Sequence, residues 1–395
     1  MTPAFPRRPA ILRNGDPACE AHLHSLRLPV PPLELRPNGI RLAIPSPESW
    51  RAAGAVTNGA DWSAPQRTLK RLVAALRHAE LARQFAAEGV DLLLVWRGLL
   101  GRSAVGTLAA RSLGIPCVFF ERGPLPGWLM IDMAGINAAA AIPRDAAAIR
   151  RWRASIAAPL DWRGLRETLA VRQPRRNLVA QTPRSDWNGE GPFLFVPFQV
   201  NAPPARQPDG GWAAGPADLV AGLAAASAAL PEGWHLRIKP HPNARGDLRC
   251  LIGPHLSPRL RLDADTNALD QLAASRGVVT VNSAMGLEAF FHDKPVITLG
   301  DSYYADNGRT LQADSPAALA ALLADPEALS FDPQARDDVM TCLFNDYFVR
   351  TEDLRAGRFG LPELLDRHAR LAALGDRPQT GIMPPMTAAT GQTAR

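Results

Sequence analysis

The chain has 395 residues, of which 46% are apolar, and it carries a formal net charge of +6. This length exceeds what one hydrophobic core usually organises, so we expect two domains, and no apolar stretch is long enough to predict a membrane-spanning helix. The basic residues are scattered and are not interleaved with aromatic side chains, which argues against nucleic acid as a partner.

The first half of the chain begins with a proline-rich, weakly patterned region over residues 1–60, in which Ile40–Ile44 is the best strand candidate. From Thr68 to Glu88 the apolar positions follow helical spacing, and Gly89 predicts the end of that helix. A βαβ unit then follows, and such units build parallel sheets. Its predicted elements are a strand over Val90–Trp96, a helix over Ser103–Leu113 and a strand over Pro116–Phe120.

The second half begins after residues 145–190, which we interpret as a surface helix and a linker. We predict strands at Phe193–Val196, His235–Ile238, Leu260–Leu262, Val278–Val281 and Pro295–Leu299. The predicted helices are Ala217–Leu230, Ala268–Arg276, Ala284–His292, Ala317–Leu323, Pro333–Tyr347 and a segment over Leu361–Leu374, followed by a disordered tail over residues 376–395.

These elements predict an α/β fold with two Rossmann-like domains that face an interdomain cleft. The expected division is a first domain over residues 1–180, a second domain over 190–350, and a C-terminal helix with a tail over 351–395. This is the outline of a GT-B glycosyltransferase, although other two-domain α/β enzymes share it. The GT-B likeness implies that the first domain binds the acceptor and carries out catalysis and that the second binds the nucleotide sugar.

The segment from Val278 to Gly300 predicts a strand, a sharp turn, a helix, a turn and a second strand. Asn282 and Ser283 supply side-chain acceptors that can cap the helix beginning near Ala284. This helix starts at the carboxyl end of a strand, where open α/β sheets bind ligands, and its first N–H groups can hold a phosphate. The pattern therefore points to a nucleotide-activated substrate.

Other positions of this segment each allow two interpretations. Ser283 and Ala284 can offer a hydroxyl and backbone N–H groups to the phosphate, whereas Asn282 can do so or serve only as a cap. Glu288 can interact with the helix dipole or accept hydrogen bonds from ribose hydroxyls. Gly286 predicts a close approach, either of a ligand or of the neighbouring strand.

The run Lys239-Pro240-His241-Pro242 follows a predicted strand. In this proline-flanked turn, the His241 imidazole can bond the donor phosphate and stabilise the departing nucleotide. Lys239 can add a point charge if its side chain faces the cleft. The alternative is a structural histidine in a turn and a lysine on a solvated edge.

Acidic candidates lie in the first half. Glu121 and Arg122 follow a buried strand, so both are expected at its carboxyl edge. Asp132 lies in an apolar segment, where a carboxylate is either buried and partnered or placed in a cleft. The alternative is that Asp132 caps a turn, that Glu121 pairs with Arg122 or another arginine, and that Asn137 closes a turn.

We predict no metal and no cofactor. The pair Asp263 and Asp265 resembles a metal-binding DxD only weakly, because loops commonly have this composition. The four cysteines lie far apart without CxxC spacing, which argues against a zinc knuckle or a disulfide framework and favours a reducing cytoplasm.

These motifs resemble those of the capsule polysaccharide biosynthesis/export family, the KpsC/KpsS-like proteins. The resemblance covers roughly Val90 to Leu323, and a strand end that contains Gln199 is similar as well. It is carried by Lys239–Pro242, Asn282–Ser283, Gly286–Ala289, Lys294–Val296, Gly300–Tyr304, Phe119–Gly123, Ile131–Asn137 and Val196–Val200.

This resemblance implies a retaining, GT-B-type β-Kdo transferase that takes Kdo from CMP-Kdo and transfers it to a lipid-linked acceptor. It implies that Asp132 is the nucleophile of a double displacement and that Glu121 is the general acid or base. Arg122, Asn137 and Gln199 would then contact the acceptor or line the cleft. The implied partners are a nucleotide sugar, a lipid-linked glycan and the capsule export machinery, with a cytoplasmic location peripheral to the membrane.

Two other functions remain open on the sequence. The first is a non-catalytic protein that binds capsule polysaccharide for export, since the N-terminal region departs from the family pattern. The second is a transferase or epimerase that uses a UDP-sugar, because such enzymes are also built from two Rossmann-like halves.

Overall fold

The computed structural model describes residues 6–36, 43–57, 62–99, 101–170, 182–198, 211–213, 215–241, 248–305 and 308–375. Its strands are β1 (Pro9–Leu12), β2 (Leu33–Leu35), β3 (Leu92–Trp96), β4 (Cys117–Arg122), β5 (Trp128–Asp132), β6 (Phe193–Phe198), β7 (His235–Pro240), β8 (Leu260–Leu262), β9 (Gly277–Thr280), β10 (Val296–Thr298), β11 (Leu311–Gln312) and β12 (Val349–Arg350).

The α-helices alternate with these strands through most of the chain, as expected for a doubly wound fold. They are α1 (Pro17–His24), α2 (Pro47–Thr57), α3 (Ala64–Glu88), α4 (Gly101–Ser112), α5 (Ala146–Ala154), α6 (Pro216–Ser227), α7 (Leu248–Ile252), α8 (Ala268–Ala274), α9 (Ala284–Glu288), α10 (Pro316–Leu323), α11 (Pro333–Cys342), α12 (Thr351–Arg355) and α13 (Leu361–Ala373).

The strands form two six-stranded sheets, which confirms the predicted α/β, GT-B-like fold with two Rossmann-like units. The first sheet has the order β12-β5-β4-β3-β1-β2, and the second has the order β11-β10-β9-β6-β7-β8. All pairs in the second sheet are parallel, whereas β5 runs antiparallel to both β4 and β12 in the first. Strand order reverses between β1 and β3 in the first sheet and between β6 and β9 in the second.

The proline-rich start of the chain differs from the prediction. Its strands are β1 and β2, and β1 pairs with both β2 and β3 in the interior of the sheet. Ala43 and Ile44, from the predicted strand Ile40–Ile44, form no strand, and the rest of that segment lies outside the described residues. Because β1 and β2 span only four and three residues, they carry too little periodicity to be recognised in the sequence.

The chain returns to the first sheet after completing the second. Residue Val349 of β12 pairs with Leu129 of β5, and the buried side chains of Leu361 and Leu364 in α13 join the core beneath this sheet. Residues 349–375 therefore pack on the first unit, although they follow the second in sequence. Of the C-terminal segment predicted over 351–395, residues 376–395, expected to be disordered, lie outside the described residues.

One apolar core continues from the first unit into the second. The Phe344 ring lies 5.2 Å from the Trp128 ring of the first sheet and 5.7 Å from the Phe291 ring of the second unit, centroid to centroid. Phe291 also contacts Trp162 at 5.6 Å. Among the described residues, no helix combines the length and the apolar character needed to cross a membrane.

Candidate functional site

In the second sheet, the turns predicted at residues 239–241 and 282–284 lie at one edge, near the point at which the order of the strands reverses. Asn282 and Ser283 follow β9, and Lys239 and Pro240 end β7, with His241 next along the chain. Only β6 separates these two parallel strands. Since neighbouring strands lie about 4.8 Å apart, the two strand ends are roughly 10 Å apart at the carboxyl edge of the sheet. Ligands of open α/β sheets bind at this kind of position.

This edge also meets the first unit. Arg144, which follows β5 and precedes α5, forms an ion pair with Asp301 in the loop after β10, with an N–O distance of 3.3 Å. The Arg309 guanidinium donates to the Arg144 carbonyl at 3.3 Å. The loop after β10 therefore contacts the first unit directly, and the candidate site lies near the junction of the two units.

Ser283 is the residue that caps α9, as the sequence predicted. Its Oγ accepts a hydrogen bond from the Met285 N–H at 3.2 Å. The neighbouring Asn282 side chain is buried, and its amide donates to the Asp301 carbonyl at 3.1 Å. Asn282 thus connects the loops after β9 and β10, while a hydroxyl that accepts a hydrogen bond, as that of Ser283 does, can also donate one.

Gly286 lies against the side chain of Tyr304, and not against the neighbouring strand. A Cβ atom at position 286 would stand 2.3 Å from the Tyr304 hydroxyl oxygen. That hydroxyl donates to the Ser283 carbonyl at 2.5 Å, and burial raises the pKa of Tyr304 above its ordinary value. Gly286 does allow a close approach, but the group that approaches is a side chain from the loop after β10, and not the ligand or the neighbouring strand that the sequence suggested. Tyr304 fixes the turn in which Ser283 lies.

Glu288 ends α9 and is buried, with 5% of its surface exposed. Its charge adds to the upward shift of the Tyr304 pKa, which burial dominates. Its ribose-binding role stays a prediction.

Lys239 lies beneath the loop after β8 and is not on a solvated edge. Only 3% of its surface is exposed, and its Nζ donates to the Ala264 carbonyl at 2.7 Å. Burial lowers the pKa of Lys239 to about 8, and the charges of Asp263 and Asp265 oppose that shift. The Lys239 Nζ therefore connects the end of β7 to the loop after β8, and burial disfavours its charged form. The adjacent His241 is partly exposed, as expected for a group that contacts a ligand.

The Asp263-Ala264-Asp265 loop is held by contacts within the protein. The Asp263 carboxylate accepts from Arg237 Nη1 at 3.1 Å and from the Thr266 N–H at 2.9 Å. The Asp265 carbonyl accepts from the Thr182 N–H at 2.8 Å. Within the described ranges, no group of three or more histidine, cysteine or acidic side chains is placed to hold a metal ion.

Glu121 lies at the carboxyl edge of β4, where the sequence predicted it. Its Oε2 accepts from Arg97 Nε at 2.6 Å, and its Oε1 accepts from the Arg122 N–H at 2.9 Å. Arg97 follows β3 directly and has a left-handed backbone, with φ of 65°. The sequence allowed Glu121 to pair with Arg122 or with another arginine. The structure shows that the partner is Arg97, whereas the Arg122 side chain is exposed. Arg97 was missed because its pairing depends on the register of β3 and β4.

Asp132 is buried, and its carboxylate caps a turn. Oδ1 accepts from the N–H groups of Ala134 at 2.6 Å and Gly135 at 3.3 Å. Oδ2 accepts from the Ala141 N–H at 2.7 Å and from the Tyr347 hydroxyl at 2.6 Å. A carboxylate has about four lone-pair sites, so these donors occupy all of them. This geometry matches the turn-capping alternative.

The position of Asp132 in the sheet explains this environment. Because β5 is antiparallel to β4, Asp132 pairs with Phe119, while Glu121 pairs with Met130. The end of β5 therefore lies away from the carboxyl edge at which Glu121 emerges. The sequence prediction missed this separation because it did not identify β5 as a strand.

The remaining acceptor candidates differ in what the structure shows. Asn137 has a left-handed backbone, with φ of 52°, and its carbonyl accepts from the Ala140 N–H at 3.0 Å. It therefore closes a turn, a role for which asparagine is suited. Gln199 lies outside the described residues, so its predicted role in the cleft stays a prediction.

A family model described as capsule polysaccharide biosynthesis protein matches residues 169–330, a range that contains both turns at the edge of the second sheet. The protein FixF of Sinorhizobium fredii is 32% identical over 291 residues, which are 73% of this chain and 68% of FixF.

Among solved structures, the β-Kdo 2,7 transferase of Thermosulfurimonas dismutans KpsC is similar, with 16% identity, a TM-score of 0.39, and coverage of 78% of this chain and 97% of that one. The UDP-GlcNAc 2-epimerase of Methanocaldococcus jannaschii, solved with UDP-GlcNAc and UDP, has 11% identity, a TM-score of 0.37, and coverage of 85% and 99%.

Proposed function

We propose that this chain, which belongs to the capsule polysaccharide biosynthesis protein family, is a glycosyltransferase that takes its sugar from a nucleotide donor. The observation that supports this most is the juxtaposition of the turns at 239–241 and 282–284 at the strand reversal of the second sheet. That edge of an α/β sheet offers backbone N–H groups to a phosphate.

In this proposal the donor phosphate lies at the start of α9. The Ser283 hydroxyl and the first N–H groups of the helix donate to its oxygens, and the His241 imidazole donates from the opposite side. These donors stabilise the negative charge that grows on the phosphate as the bond to the sugar breaks. The buried Lys239 ammonium adds positive potential beneath the site.

We propose CMP-Kdo as the donor and a lipid-linked glycan as the acceptor, as the family resemblance implies. The retention that the resemblance also implies would need Asp132 as nucleophile, and its carboxylate would first have to leave the four donors that hold it. A lipid-linked acceptor places the protein at the cytoplasmic surface of the membrane and close to the capsule export machinery. Glu121 serves as general acid or base, because it lies at a strand end and Arg97 fixes its orientation. Asp132 holds the 133–141 turn.

The test is a measurement of CMP release from CMP-Kdo in the presence of a Kdo-primed acceptor. We expect turnover by the wild type, a loss of about a hundredfold or more in kcat for Glu121→Gln, and weaker donor binding for His241→Ala. Glu232→Gln is the matched control, because Glu232 is an exposed carboxylate of the second unit.

Thermal shifts with CMP, UDP and GDP identify the nucleotide, and stabilisation by UDP alone would exclude a CMP-sugar donor.

A second candidate, a non-catalytic glycan-binding protein for export, is favoured by one observation. The Asp132 carboxylate, which the resemblance implies as nucleophile, has four donors and no remaining lone pair. Glycan binding without CMP release for any Kdo-primed acceptor would support this candidate.

A further inference from the structure

The strand reversal of the first sheet forms a cavity of about 360 Å³, to which the proposed function assigns no residue. It lies between the loop that follows β1 and the first turn of α4. Its walls are Leu12 of β1, Arg13, Asn14 and Gly15 of the loop, Glu20 of α1, Arg102 and Ser103 of α4, and Arg36, which follows β2. The cavity therefore occupies, in the first unit, the position that the nucleotide site occupies in the second.

The charged groups around this cavity are three arginines and two carboxylates, so they leave a net charge of +1. Both carboxylates are bound to Arg13, whose guanidinium contacts Glu20 at 2.7 Å and Glu34 at 2.9 Å. In the described part of the chain, Arg36 and Arg102 form no ion pair with a carboxylate, and both are exposed. Two arginines at one cavity without a bound counter-charge attract anions.

A third arginine increases this positive potential from behind. The pKa of Arg77, on α3, is lowered by burial and then by the charge of Arg102. The Arg77 Nε is buried and, among the described residues, has no hydrogen-bond partner. Arg77 and Arg102 therefore repel each other, and an anion beside Arg102 would relieve that repulsion.

The walls of the cavity are held in place before any ligand binds. Glu20 is buried, and its Oε1 accepts from the N–H groups of Asn14 at 3.0 Å and Gly15 at 2.8 Å. The helix approaches β1 closely, since a Cβ at Gly106 would stand 2.3 Å from Leu12 Cδ2. Because the loop and the helix are fixed in this way, only the exposed side chains of Arg36 and Arg102 have to become ordered when a ligand binds.

We propose that this cavity binds an anionic group, a carboxylate or a phosphate, of the acceptor. Guanidinium groups suit such a ligand, because they donate two parallel hydrogen bonds to either anion. The identification of the ligand as an acceptor rests on the proposed function, whereas the anion site itself rests on the cavity and its arginines.

The test uses the full chain and two small probes, free Kdo for the sugar carboxylate and glycerol 3-phosphate for a lipid headgroup. Their dissociation constants are measured by ligand-observed NMR for the wild type and for the double variant Arg36→Gln/Arg102→Gln. We expect at least one probe to bind the wild type and to bind the double variant about tenfold or more weakly. Both arginines are exposed, so the variant should fold, and Arg259→Gln, an exposed arginine of the second unit, is the control.

The outcomes separate the two proposals. Binding of Kdo alone assigns the site to a sugar carboxylate, and binding of glycerol 3-phosphate alone assigns it to a headgroup phosphate. Failure of both probes to bind the wild type, or equal binding by the double variant, would overturn the anion site even if CMP-Kdo is turned over. Arginine-dependent binding without CMP release would leave the anion site standing and reject the transferase.

Discussion

At Asp132, two carboxylate oxygens accept from three backbone N–H groups and one hydroxyl, and the last of these donors comes from a distant part of the chain. Tyr347, which donates at 2.6 Å, lies in the π-helical turn Leu343–Tyr347. Arg367 of α13, itself buried, donates to the carbonyls of Tyr347 and Ile131. Asp132 therefore links β5 to the segment that returns from the second unit.

We predict that Asp132→Asn lowers the free energy of unfolding by about 3 kcal/mol. The amide NH₂ group of asparagine cannot accept a hydrogen bond, so at least one of the donors that now bind Asp132 would be left without an acceptor. Urea denaturation measures this loss, and Asp325→Asn, at an exposed aspartate of the second unit, is the control. The family resemblance makes a different prediction for Asp132→Ala, which is lost turnover with intact nucleotide binding. If Asp132→Asn leaves the free energy of unfolding unchanged and Asp132→Ala abolishes turnover, Asp132 would be the nucleophile.

Lys239 makes the stability depend on pH. Its pKa in the folded protein is about 8, below its ordinary value of 10.5, so between these values the unfolded chain binds the proton and the folded chain does not. Stability contributed by this group therefore rises as the pH increases through that window, by about 3 kcal/mol in total.

The corresponding measurement is urea denaturation of the wild type and Lys239→Met at about pH 7.5 and about pH 10.5. The advantage of Lys239→Met over the wild type should shrink by about 3 kcal/mol between these pH values. Lys70→Met, which removes an exposed lysine of α3, should show no such trend. A pH-independent difference at position 239 would contradict the account.

At the scale of elements, the turn from β9 into α9 depends on the contact between Gly286 and Tyr304. We predict that Gly286→Ala lowers the free energy of unfolding by about 1–3 kcal/mol, because the added methyl group overlaps the Tyr304 hydroxyl. Tyr304→Phe removes that hydroxyl, so the double variant should recover part of the loss, as measured by a double-mutant cycle in urea. Full additivity of the two changes would mean that the contact does not fix this turn.

The elements that the sequence predicted well are those with a strong local signal. The helix Ala64–Glu88 repeats apolar residues at helical spacing, and Gly89 ends it in a left-handed conformation, with φ of 63°. The strand and cap at Gly277–Ser283 combine β-branched residues with a capping hydroxyl. Such signals lie within a few residues of one another, so a sequence alone can carry them.

Other features depend on pairings between distant residues, which the sequence does not display. The two residues of β12 pair with β5 more than two hundred positions earlier, and their assignment exists only through that pairing. The ion pair of Glu121 with Arg97 requires the register of β3 and β4. The arginine cavity likewise draws residues from the loop after β1 and from the start of α4, which only the fold brings together.

For the whole molecule, the returning C-terminal segment is part of the first core. Leu364 is buried and belongs to the same apolar core as Ile11 and Phe120 of the first sheet. We predict that Leu364→Ala lowers the free energy of unfolding by about 2–4 kcal/mol, because it leaves a cavity in that core. Leu69→Ala, at a leucine with 60% of its surface exposed, makes the same chemical change with little effect. Equal stabilities in urea would show that α13 does not support the first unit.

The central claim is that a nucleotide phosphate binds where β7 and β9 end. A crystal structure of the full chain with CMP tests this most directly. We expect the phosphate within hydrogen-bonding distance of the Ser283 hydroxyl and the Ala284 N–H, with the His241 imidazole beside it. A CMP phosphate bound elsewhere, with these three groups free of contact to it, would contradict the account.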